Sequence, residues 1–100
     1  MHEFEFTLPY GYQDELGNLH QVGRMRLATA RDEIEAWQTL QHSNQAYLPI
    51  ILMSRVVTAL GTLPAYALQP ALFENLYAAD MAYLGELYLQ LNSPPEVRIG

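Results

Sequence analysis

Cysteine is absent from the 100-residue chain, and so is lysine. The first absence excludes a disulfide framework, thiolate nucleophiles and cysteine-held zinc or iron–sulfur centres. The second leaves five arginines against eleven acids, a net charge of −6, and beyond Arg24 and Arg26 the arginines form no cluster. Nucleic-acid affinity comes mainly from neutralising phosphates, and a DNA-reading helix needs an exposed Arg/Lys face, so neither partner is expected. Long apolar runs are also missing. The apolar stretch 46–60 is shorter than the roughly 20 residues a membrane span needs, and it contains Arg55. The opening MHEFEFTLPY carries acids where a signal peptide would carry basic residues, so a cytoplasmic location is expected. Glycines are dispersed rather than gathered into a phosphate loop, and Ser43, Ser54 and Ser93 lack a nucleophile-elbow context. His2, His20 and His42 fall in three separate elements without i, i+4 spacing, and read as ordinary surface histidines. No catalytic residue, cofactor site or metal site is assigned, and the chain is expected not to be an enzyme.

What is present is apolar side chain: 50% of the residues are hydrophobic and 16% charged, an ordinary globular composition for one domain over residues 1–92 with an extended tail at 93–100. Two stretches, AYLPIILMSRVVTAL (46–60) and ALFENLYAADMAYLGELYLQL (71–91), hold most of the expected core. A chain of this size buries about two thirds of the surface its unfolded form exposes. Apolar surface left over points to a protein partner or to self-association.

Phe4, Phe6 and Leu8 alternate with Glu3, Glu5 and Thr7, the period of a half-buried strand. DELGN (14–18) supplies a turn, and Leu19 to Leu27 returns as a second strand with Leu19, Met25 and Leu27 on one side. Gly23, on that same side, marks a bulge or a close approach. Thr29 suits an N-cap, with Asp32 three residues on; Asp32, Glu33 and Glu35 read as a solvated, dipole-favoured start to a surface helix docked by Ile34, Trp37 and Leu40 or Ala30. A second helix is expected from Tyr47 to Leu60, stopped by Gly61, with Ile51, Leu52 and Val56 nearly inaccessible. Pro49 requires that this helix start near Tyr47 or kink. Pro70 suits a first helical position. A single helix from there to Leu91 would set Asp80 in an apolar face, so either the helix breaks and Asp80 caps a new one, or Asp80 pairs with a cation such as Arg55. The expected fold is α+β, an N-terminal antiparallel β-hairpin followed by a compact bundle of three to four helices.

Three ordered blocks, RMRLATARDEIEAW (24–37), NQAYLPIILMSRVVTALGTL (44–63) and LFENLYAADMAYLGELYLQLN (72–92), resemble small phage tail assembly proteins and are similar to the tail assembly chaperones of contractile-tailed phages and phage-tail-like particles. Pro49 departs from that pattern. The resemblance implies a non-enzymatic assembly factor that holds a hydrophobic helical partner, such as the tape-measure protein, until the tail tube forms around it. The alternative is a tail or baseplate subunit retained in the finished particle. No catalytic residue is carried over. On the helical wheel, Tyr77, Met81, Leu84 and Tyr88 form the expected partner-binding face.

Overall fold

The computed structural model describes residues 2–41 and 44–94. Strands β1 (Glu3–Gln13) and β2 (Leu19–Arg26) form the expected antiparallel hairpin; α1 (Ala30–Leu40), α2 (Leu48–Val56), β3 (Val57–Leu60), α3 (Pro70–Glu74) and α4 (Ala78–Asn92) follow. The fold is α+β, with a three-stranded antiparallel sheet in the order β1-β2-β3 and four α-helices among the described residues. No helix among the described residues is long and apolar enough to cross a membrane.

The third strand corrects the expected second helix. Helix α2 ends at Val56 and the chain continues as β3, pairing Leu60 with Gly23, Ala59 with Arg24 and Val57 with Met25. Val56, Val57 and Thr58 are β-branched and stiff at χ1, and the outer edge of β2 would otherwise be left with unpaired backbone groups. Gly61 therefore closes a strand rather than a helix; at φ +56° it donates its N–H to the Val22 carbonyl at 2.7 Å. Pro49 lies in the first turn of α2, where its missing N–H costs nothing. Gly23 is a close approach: a Cβ there would stand 2.4 Å from the Phe6 ring and 2.5 Å from the Ala59 carbonyl oxygen.

Between Thr7 and Tyr12 the hairpin register slips, five steps along β1 answering two along β2. Pro9 and Gly11 (φ +97°) occupy this irregularity on the sheet edge, where proline is tolerated. Beyond the slip the inward side of β2 changes parity, so His20 points in and Leu19 out. Leu19 is thus exposed, and Leu27, just past the end of β2, is exposed as well, which corrects the expectation that both share the buried side with the fully buried Met25.

Thr29 caps α1 in a complete capping box with Asp32. The inward face of α1 is Asp32, Ala36 and Leu40, the last two packing on Ile51 of α2. Ile34 and Trp37, expected to dock the helix, are about half exposed. The rotation follows from Asp32, whose carboxylate must turn inward to meet Arg26 and Arg55. The main core joins Phe6, Leu8 and Met25 of the sheet to Met53, Val56, Phe73, Leu84 and Tyr88 of the helices. The chain breaks before α4 as expected, but Tyr77 is the N-cap and Asp80 lies within the first turn. Most of the expected tail, together with His42 and Ser43, falls outside the described residues.

Candidate functional site

Helix α4 carries a different neighbour on each side. At its first turn the fully buried Asp80 carboxylate accepts the Tyr10 N–H on Oδ1 and the Gly11 N–H on Oδ2, both at 2.9 Å. These are the donors that the slip in β1 leaves without a strand partner, so Asp80 acts as a clamp between α4 and the irregular edge strand. Neither expected role is seen: Asp80 does not cap, and Arg55 bonds elsewhere. Beside the clamp, Tyr10, Gln13, Leu19, Tyr77 and Ala78 line an open cleft of about 630 Å³. The Tyr10 and Tyr77 rings meet there at 5.5 Å between centroids, and its walls mix aromatic rings with polar backbone.

On the other side of α4 runs a groove of about 380 Å³, walled by Pro49, Leu52 and Met53 of α2 and by Ala82, Gly85 and Leu89 of α4. Its surface is almost entirely carbon. Gly85 forms part of it in mid-helix, where glycine costs about 0.5–1 kcal/mol relative to alanine. The chain's own packing does not require this glycine, because a Cβ there would meet nothing within 4 Å. Leu89 is 63% exposed beside it. Leu52, expected to be nearly inaccessible, is only half-buried because it faces this groove; Ile51 and Val56 are buried as expected.

Of the acids of α1, Glu33 is exposed in the first turn as expected, whereas Asp32 is turned inward. Asp32 is 3% exposed and receives a bidentate Arg26 guanidinium at 2.7 and 2.9 Å, with Arg55 Nε at 3.1 Å. Arg55 also reaches Glu35 at 2.5 Å, and Arg26 donates to the Arg55 carbonyl at 2.9 Å, tying the end of β2 to α1 and α2. The Arg26 guanidinium holds the Asp32 carboxyl well below the usual carboxylate range, against a burial effect of opposite sign. Glu33 accepts the Tyr88 hydroxyl at 2.8 Å; burial first and this carboxylate second push the phenol pKa up. Neither Glu33 nor Glu86, which flanks Gly85, has a cation within 4 Å among the described residues.

His20 is buried, which corrects its reading as a surface histidine. Its Nδ1 accepts the Thr62 N–H at 3.2 Å, and since an amide only donates, the proton must sit on Nε2, which donates to Asp14 at 2.9 Å. The bond from His20 is the main reason that the Asp14 carboxyl is lowered to about 2. An Asp–His pair can serve as a general base only if one ring nitrogen is free to meet a substrate. Here both are engaged, and the pair fastens the hairpin turn to the loop after β3. Among the described residues no three His, Asp or Glu side chains converge as metal ligands would.

The four residues expected to form one partner-binding face are dispersed. Leu84 is 1% exposed in the core, Tyr88 is 8% exposed but also lines the α2/α4 groove, Met81 packs partly buried against the core, and Tyr77 is exposed in the Tyr10 cleft. Apolar residues at helical spacing marked the inward face of α4, which the domain's own core uses. The open side is the one with Ala82, Gly85 and Leu89, and the signal for it in the sequence was a glycine in the middle of an otherwise strong helix. No protein-family model, curated protein or solved structure matches this chain at a significant level.

Proposed function

We propose that this chain is a non-enzymatic assembly protein of phage tails or phage-tail-like particles, a chaperone that holds an apolar helical partner of the tape-measure class. The α2/α4 groove is the docking site in this reading. Its supports are the three-block sequence resemblance and, foremost, the carbon-walled groove with Gly85 in its surface. A helix laid in such a groove buries apolar side chains at i, i+3 and i+4 spacing, and a glycine beneath it allows close backbone approach. The chain keeps a net charge of −6, which favours solubility while an apolar face stays open.

The test is co-expression with a candidate tape-measure protein. Wild type should co-purify with that partner, and Leu89→Glu should not, although Leu89 is too exposed for the change to unfold the domain. Finished particles should lack the protein. Stoichiometric retention in particles would favour the alternative, a structural tail or baseplate subunit. Unchanged capture by Leu89→Glu would remove the groove from the account.

A further inference from the structure

Resting on the reading of the α2/α4 groove as a docking site, we infer that its occupant is an amphipathic helix with cationic flanks, and not a second copy of this chain. Charge at the groove's border separates the candidate occupants. Two carboxylates carry the acidic side of this surface: Glu86 is in the groove's lining, and Glu33, outside the lining, accepts the hydroxyl of the lining residue Tyr88. No arginine compensates either one among the described residues. Arg24 is held by Glu3 at 3.0 Å, Arg26 by Asp32 at 2.7 Å, and Arg55 by Asp32 and Glu35 at 3.1 and 2.5 Å. Arg31, on the exposed side of α1, lies 3.7 Å from Glu35.

These commitments separate the two candidate occupants. A second copy would bring a chain of net charge −6 to this acidic rim, and three of its arginines, Arg24, Arg26 and Arg55, are already bonded within their own chain, leaving Arg31 as its loosely paired cation among the described residues. Like charges facing each other across a closed apolar contact are disfavoured, and the penalty grows as water is expelled. A helix whose apolar stripe fills the groove and whose borders carry Lys or Arg meets both carboxylates while covering Leu52 and Leu89. The same carboxylates would speed encounter with such a partner and reject an acidic helix of equal hydrophobicity. Specificity thus comes from the rim, and the apolar floor is indifferent to charge.

Two labelled synthetic helices test this against the full-length chain by fluorescence anisotropy. They share one Leu/Ala stripe; one is flanked by Lys, the other by Glu. At low salt the Lys-flanked peptide should bind about tenfold or more tightly than its Glu-flanked twin, with the gap closing toward molar salt as the charges are screened. The double variant Glu33→Gln, Glu86→Gln, which keeps a hydrogen-bond acceptor for Tyr88, should bring the two affinities within about twofold while circular dichroism stays unchanged. Equal binding of both peptides to the wild type would overturn the cationic-flank inference and leave the groove reading standing. Binding of neither would overturn both. A preference that survives in the double variant would trace to the overall negative charge and refute the rim's role. A concentration-dependent dimer in sedimentation that Leu89→Glu dissolves would show that the occupant is a second copy, and the inference would fall.

Discussion

Replacing Asp80 with asparagine should destabilise the domain although asparagine is nearly the same size. The Asp80 carboxylate is fully buried and offers one oxygen to each of two backbone N–H groups at 2.9 Å. Asparagine keeps one acceptor and sets an NH₂ against the other donor, so one hydrogen bond is lost and a donor faces a donor. Hydrogen bonds to a charged group contribute about 1.5–3 kcal/mol each, and a buried donor left unpaired costs about 1–3 kcal/mol. The Tyr10 N–H is only partly buried and can turn to water, whereas the Gly11 N–H cannot. Asp80→Asn should therefore cost about 2 kcal/mol, and Asp80→Ala, which orphans both donors and opens a small void, about 3–5 kcal/mol. At a urea slope of roughly 1–2 kcal/mol per M, the asparagine variant's midpoint should fall by about 1–2 M. Amide exchange gives the local check, since the Gly11 N–H should lose protection in both variants. A silent Asp80→Asn with Gly11 still protected would refute the clamp.

Other perturbations test the remaining supports. Gly85→Ala should raise stability by about 0.5–1 kcal/mol in thermal or urea melts, because the new methyl has free space and the helix gains propensity, while binding of the Lys-flanked helix weakens. Gly23→Ala should cost about 1–3 kcal/mol by urea denaturation, since its Cβ would strike both Phe6 and the Ala59 carbonyl. In acid, Asp14 and Asp32 ionise more readily folded than unfolded, being lowered to about 2 by His20 and below the usual range by Arg26 respectively. Their contribution is therefore complete above the ordinary carboxylate pKa of about 4 and is lost as the pH falls from there toward 2. Melts across that range should show this decline, flattened in Asp32→Asn, and stability that rises on acidification would contradict it.

Local rules made several features legible. The capping box at Thr29 and Asp32, the alternation before Pro9 and the proline opening α3 each depend on residues within a few positions of one another. Gly23 was readable because a glycine in a strand has few other reasons to be there. The switch from helix to strand at Val57 was hidden in an apolar run without clear periodicity, where the deciding factor was the unpaired edge of β2, more than thirty residues away. Distance in sequence also hid the Asp32 cluster. A carboxylate in a first helical turn usually serves the dipole, and only the approach of Arg26 and Arg55 from other elements turns it inward. The expected partner face mixes inward and outward positions for a related reason. Apolar spacing in α4 identifies whichever side is buried, so Leu84 went to the core and Tyr88 to the border between core and groove, while the open side was marked by small residues that the spacing rule ignores.

Hydrogen exchange on the complex with the co-expressed tape-measure protein tests the docking groove most directly. Added protection should be confined to residues 50–53 of α2 and 82–89 of α4, with the Tyr10 and Tyr77 cleft and the outer face of the sheet unchanged. Protection centred on that cleft or on the exposed Ile34 and Trp37 of α1, with the α2/α4 groove exchanging as in the free protein, would contradict it.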